Sequence, residues 1–155
     1  MWIHPFEETA RILVEPGVMD MVLGFRQNAA HKTEAGGILL GFRRGDHLHV
    51  VEATTPQPAD RRSLFRFFRR DLYHQNIAVK RWRESDEMID YLGEWHTHPE
   101  VRPSPSSLDM SEWRQICRRE PLPMVFIIVG MDSSLWVGVG ANDTVFKAIA
   151  QNEEI

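Results

Sequence analysis

Glu34-Ala35-Gly36-Gly37-Ile38-Leu39-Leu40-Gly41-Phe42 has an apolar centre with no polar alternation. A strand with one wet face alternates apolar and polar side chains, so this run predicts a strand covered on both faces, with Glu34 at its start. Arg43-Arg44-Gly45-Asp46 supplies a hairpin turn into a second strand, His47 to Ala53, and the two become antiparallel neighbours.

Working outward, Arg11-Ile12-Leu13-Val14 reads as a short strand. Glu15-Pro16-Gly17 then turns the chain into a helix, with Val18, Met21, Val22, Phe25 and Ala29 on one face. Thr54 to Asp60 contains two prolines and reads as a loop, and the aromatic-rich Ser63 to Arg69 reads as an edge strand. Asp71 to Glu84 has a ragged helical stripe (Leu72, Tyr73, Ile77, Val79, Trp82). A strand from Tyr91 to Thr97, a proline-rich loop from Pro99 to Pro105 and a helix from Ser106 to Arg118 follow. Strands Met124 to Val129 and Leu135 to Val139 flank a Gly-Met-Asp-Ser-Ser turn, and Thr144 to Gln151 reads as a closing helix. Strands with interspersed helices and at least one hairpin predict an α/β fold, a mixed and partly antiparallel sheet packed by helices.

The 155 residues fit one domain, 1–155, since two would each sit near the lower limit for a self-sufficient core. Apolar residues make up 43% and charged residues 26%, which is ordinary globular usage. A net charge of −4 gives no basic field for nucleic acid or anionic lipid. The longest apolar run, Met124 to Met131, falls far short of the roughly 20 residues that span a bilayer. Acids and a proline near the N-terminus, where a secretory signal would be basic and then apolar, make a cytoplasmic protein the expectation. Cys117 is the only cysteine, so any metal must be held by His and carboxylate.

Glu94-Trp95-His96-Thr97-His98-Pro99 offers that chemistry. Imidazoles at i and i+2 share one face of a strand, where two metal ligands can converge. A catalytic zinc takes three protein ligands and leaves the fourth position open. Asp109 is the natural third, because the proline-rich loop can fold the next helix start back over the strand end. Each piece also has an ordinary reading. Two histidines at this spacing occur by chance in strands, and Ser106-Ser107-Leu108-Asp109 is a capping-box-like helix start.

The joint spacing is more specific. Glu34 heads a Gly-rich apolar strand, seven positions separate His98 from Ser106, and two separate Ser106 from Asp109. This pattern resembles the JAMM (JAB1/MPN/Mov34) metalloprotease signature, and the resemblance runs from the Glu34 strand to the Met124 strand. It implies a JAB1/MPN fold of cytidine-deaminase-like architecture, zinc held by His96, His98 and Asp109, an attacking water activated by Glu34, and an oxyanion steadied by Ser106. Each role suits the residue type: a carboxylate near metal-activated water can shuttle its proton, and a hydroxyl can donate to developing charge. A stand-alone chain of this size resembles the bacterial members found beside E1- and E2-like genes. The resemblance therefore implies an isopeptidase that removes a ubiquitin-like protein, or a conjugated partner such as an antiphage nucleotidyltransferase, with E1/E2-like enzymes encoded nearby as further partners. A peptidase trimming a sulfur-carrier precursor and a non-catalytic MPN binding module are the alternatives.

Cys117 lacks any signature of a thiol nucleophile and reads as a buried small hydrophobe. A zinc deaminase would need a second cysteine. His4, His31, His47, His49 and His74 read as surface or satisfied polar residues. Arg61, Arg62, Arg66, Arg69 and Arg70 around Phe65, Phe67 and Phe68 read first as a solvated face, with a second reading as an edge that binds a substrate tail by strand addition.

Overall fold

The structure is a computed structural model that describes residues 1–152, so the last three positions of the expected 1–155 domain lie outside the described residues. In chain order the elements are β1 (Trp2–Ile3), β2 (Arg11–Val14), α1 (Pro16–Leu23), β3 (Gly36–Arg44), β4 (His47–Ala53), β5 (Arg61–Ser63), β6 (Arg66–Phe68), α2 (Leu72–Glu84), β7 (Ile89–Thr97), α3 (Ser107–Arg119), β8 (Met124–Val129), β9 (Leu135–Ala141), β10 (Thr144–Lys147) and β11 (Ile149–Ala150). Nine strands form one sheet in the order β10-β9-β8-β7-β3-β4-β2-β1-β11, while β5 and β6 pair only with each other. The β2–β4 and β7–β8 pairs are parallel and the remainder antiparallel, the mixed sheet expected from the sequence.

The unbroken apolar runs are explained by burial on both faces. In β8, Val125, Ile127 and Val129 join Val18 and Val22 of α1 in one core, while Met124, Phe126 and Ile128 meet Trp113, Ile116 and Cys117 of α3 in a second. Burying a side chain of this size fully contributes about 1.5–3 kcal/mol, so both layers are tightly bound to the sheet. Between them β7 carries a bulge where its register with β3 shifts, next to Gly93 at φ 156°. A Cβ at Gly93 would stand 1.7 Å from the Val125 carbonyl oxygen, so only glycine fits. Beyond the bulge Trp95 and Thr97 turn into the α1 side, and His96 and His98 turn toward α3.

Three expectations are corrected. Thr144 to Gln151 forms strands, not a helix: the chain reverses at Asn142, φ 56°, Val145 drops into the α3-side core, and β10 and β11 pair with opposite ends of the sheet. Short β-branched segments favour a pleated, half-buried surface, and eight residues are too few for periodicity to decide. The aromatic stretch 63–69 is no edge of the main sheet but half of a separate hairpin, β5–β6, with Leu64 and Phe65 at its exposed tip. Helix α1 ends at Leu23, so Phe25 and Ala29 lie beyond it, and Phe25 packs on Trp95 from the following loop.

Candidate metal centre

The crossover from β7 through α3 to the parallel β8 places a helix start above a strand end, where α/β sheets commonly bind ligands. His96 and His98 project from that strand end with their Nε2 atoms 3.0 Å apart. The His98 Nδ1 faces a Glu100 carboxylate oxygen at 2.8 Å, a partner that would keep a proton on Nδ1 and free Nε2 for an ion bound in the cleft. Trp113 packs beside His96 at 5.9 Å between centroids and stacks on Phe126, so the ring rests on an aromatic wall.

Asp109 arrives through local helix chemistry. Ser106 caps α3 by accepting from the Asp109 amide at 3.0 Å, and an Asp109 oxygen accepts from the Ser106 amide at 2.8 Å, a reciprocal capping box. The same carboxylate lies 3.4 Å from His96 Nε2 and 3.1 Å from His98 Nε2. Burial works to raise its pKa, but hydrogen bonds from both imidazoles and the Ser106 amide hold it well below the usual carboxylate range. Burial likewise opposes charge on His98, yet Asp109, Glu34 and Glu100 raise its pKa. The cap expected on the ordinary reading of Ser106 and Asp109 is present, and it leaves the Asp109 carboxylate facing both histidines.

The donors His96, His98 and Asp109 lie within 4.8 Å of one another. A tetrahedral ion with bonds of about 2.0–2.1 Å spaces its ligands roughly 3.3 Å apart, close to the 3.0 Å between the two Nε2 atoms and to the 3.4 Å and 3.1 Å from His96 to Asp109 Oδ1 and from His98 to Asp109 Oδ2. The residues present fit a divalent ion of zinc type.

Glu34 is 5% exposed and reaches within 4.0 Å of His98 Nε2. Burial pushes its pKa up to about 7, against the lowering influence of His96 and His98, which suits a group that must take up and return a proton. The β5–β6 hairpin grips it. The Glu34 amide donates to the Ser63 carbonyl and Arg62 Nε donates to the Glu34 carbonyl, each at 2.8 Å. The Phe67 ring lies over Gly36, where a Cβ would stand 2.6 Å from it.

These groups line a cleft of about 550 Å³ with α3 as one wall and the hairpin as the other. Arg66 reaches across to Glu112 at 3.0 Å, and Arg69 pairs with Glu94 on the floor. All five residues expected from the sequence, Glu34, His96, His98, Ser106 and Asp109, border this cleft. Glu100, Trp113 and Arg62 were missed as contributors. Glu100, two residues beyond His98 on the same strand-end segment, carried a usable signal, whereas the partner of Arg62 is fixed only by the folding of the hairpin. Cys117 is buried as expected, with its thiol pushed up to about 11 by burial. His74 is satisfied as expected, between Thr54 and Asp60.

A mixed sheet flanked by helices, with convergent His, His and Asp donors and a buried glutamate beside them, defines the chain as a hydrolase whose site fits a metal ion. Residues 23–138 match the family described as prokaryotic homologs of the JAB domain, and the chain belongs to that family. A Pseudomonas aeruginosa protein named CD-NTase/cGAS isopeptidase is 45% identical over 64% of this chain and 65% of its own length. A Vibrio cholerae protein of the same name is 36% identical over 92% of both chains. The solution structure of a Desulfitobacterium hafniense protein superposes with a TM-score of 0.63 over 88% of both chains at 24% identity, a likeness of fold.

Proposed function

We propose that the chain is a zinc-dependent isopeptidase that cuts the amide bond after the C-terminal tail of a conjugated protein. The observation that carries this reading is the buried Glu34 carboxyl, held near neutral pKa 4.0 Å from His98 in the group of three convergent donors. His96, His98 and Asp109 would hold the ion, which when bound supplies Lewis acidity and brings the pKa of water down to about 7. Glu34 takes the proton of the attacking water and delivers it to the leaving amine. The Ser106 hydroxyl oxygen accepts from the Asp109 amide, so its hydrogen remains available to the carbonyl oxygen as charge develops there. Arg62 and the Ser63 carbonyl keep Glu34 from swinging out of reach.

The cleft favours an extended tail, because its two walls converge on one strand end. The main sheet is closed by the 144–150 segment, which pairs with both of its ends, so the strand available beside the site is β6. A tail laid along Arg66–Phe68 would gain main-chain hydrogen bonds by strand addition. The names of the relatives favour a CD-NTase as the conjugated protein, with a ubiquitin-like protein as the other candidate of the same chemistry. The test is cleavage of a CD-NTase whose C-terminus is joined to a reporter, beside the same reporter on a ubiquitin-like tail, with zinc-loaded protein. Release of the reporter at the tail's last residue supports the reading. No release from either fusion, with zinc bound, contradicts it and favours a binding module.

A further inference from the structure

Behind the ligand strand, on the side away from the cleft, lies a buried polar relay that the reaction above does not use. Thr97, between the two histidines, is fully buried, and its hydroxyl accepts from the Ala35 amide at 3.0 Å and donates to Gln27 Oε1 at 2.9 Å. Gln27, 1% exposed, in turn donates from Nε2 to the Lys32 carbonyl at 3.1 Å and the Leu64 carbonyl at 3.0 Å. Every hydrogen of the Gln27 amide group has a partner. The opposite amide orientation would set an oxygen against two carbonyls and a nitrogen against the Thr97 hydroxyl, so the assignment is fixed by the network.

The three segments that the Gln27 loop ties together are those that must stay in register for the proposed chemistry. Thr97 belongs to the ligand strand, Lys32 and Ala35 bracket Glu34, and Leu64 is at the tip of the hairpin that grips Glu34 from the cleft side. Glu34 itself precedes β3, where this relay, the backbone contacts of Ala35 with Thr97, the buried Ala35 and the hairpin hold it. A buried group with satisfied partners cannot drift without leaving another unsatisfied, at a cost larger than any exposed contact imposes.

We infer that Gln27 and Thr97 are positioning residues that lock the Glu34 segment and the hairpin tip to the ligand strand, so that the carboxyl stays at the distance proton transfer requires. The inference rests on the isopeptidase reading and adds to it two residues that touch neither substrate nor ion. It separates their role from that of the ligands: losing the relay leaves metal content and substrate binding intact and slows the chemical step.

The test is Thr97→Val, which deletes the hydroxyl at nearly constant shape, beside Thr97→Ser, which keeps it. Gln27→Met stands in should the valine variant fail to fold. Four quantities are read on zinc-loaded protein: zinc per chain, kcat and KM on the CD-NTase–reporter fusion, and hydrogen exchange at the Ala35 amide. Expected for Thr97→Val are unchanged zinc, KM within about twofold, kcat down by about tenfold or more, and Ala35 exchange at least tenfold faster, with Thr97→Ser restoring both. A kcat at the wild-type level, or a loss that serine does not restore, overturns the inference even if the melting temperature falls. Should wild-type protein cleave no fusion, the isopeptidase reading is what fails, and the exchange measurement still decides: an Ala35 amide as protected in the valine variant as in wild type overturns the relay.

Discussion

The two walls of the cleft are made by opposite means. The α3 wall is local: a capping box of residues three apart brings Asp109 to the donors, and helix packing through Trp113 holds it there. The hairpin wall is non-local: Arg62, Ser63 and Leu64 meet groups about 30 residues or more away along the chain, and an exposed Arg66–Glu112 pair is its tie across the cleft. Such an exposed pair contributes about 0–1 kcal/mol, so the hairpin depends on its backbone and buried contacts. On the proposed reading α3 adds Asp109 to the two histidines of β7 as a ligand while the hairpin governs the base and the tail, and substitutions should divide the same way.

The largest effect belongs to the candidate ligand set, the histidines at the end of β7 and Asp109 of the α3 wall. His96→Ala or Asp109→Ala should abolish both zinc binding and cleavage, since two donors do not retain the ion against water and buffer. Metal analysis checks this, and it also distinguishes zinc from iron, which accepts two histidines and a carboxylate as well. Full occupancy in both variants would break the assignment.

Across the cleft, Glu34→Gln should keep zinc and fold while losing about 10²-fold or more in kcat, the share typical of a general base. Single-turnover rates on the reporter fusion measure it. Next comes the tail: Arg66→Pro removes a main-chain donor of β6 and Phe67→Pro removes an amide that also faces the Glu34 carboxyl, so one of the two should raise KM on the protein fusion by about tenfold with zinc unchanged, and Phe67→Pro should lower kcat as well. A minimal peptide should suffer less. Circular dichroism confirms folding, and unchanged KM in both folded variants would return the arginine and phenylalanine cluster to a solvated face.

Ser106→Ala sharpens the contrast because it touches both roles. Losing the cap should cost about 1 kcal/mol of stability, and losing a donor to the carbonyl oxygen should lower kcat, so melting and kinetics must be measured on the same sample. The smallest effect is acid dependence at the base of the hairpin. Burial acts to raise the Asp60 pKa, but amides of Asp71, Gln57 and Arg70 and the His74 ring lower it. A depressed folded pKa means stability that is full above the ordinary carboxyl range near pH 4 and lost as pH falls through the folded value. Melting temperature from pH 7 to 3 should therefore decline at the acid end, and less steeply in Asp60→Asn.

What the sequence disclosed follows the same division. His96, His98, Ser106 and Asp109 were legible because strand alternation and a capping box are short-range regularities, and Glu34 because it heads a run that must be buried twice. The strands of the central sheet were legible for that reason also. The hairpin was read as an edge strand because extended backbone looks alike wherever it pairs, and pairing partners are set by tertiary contacts. Thr144 to Gln151 was read as a helix because its role, joining both ends of the sheet, exists only once the sheet does. Gln27 and Thr97 gave no signal: a glutamine in a loop and a threonine in a strand become a relay only when four segments converge.

The central claim is that Glu34 is the proton carrier of a metal-dependent amide hydrolase, separate from the ligands that hold the ion. It is tested most directly by measuring zinc stoichiometry and single-turnover cleavage of the CD-NTase–reporter fusion on the same preparations of wild-type and Glu34→Gln protein. One zinc per chain in both, with cleavage in the wild type and a loss of about 10²-fold or more in the variant, is the predicted result. Equal cleavage by the two proteins at equal zinc content would contradict it.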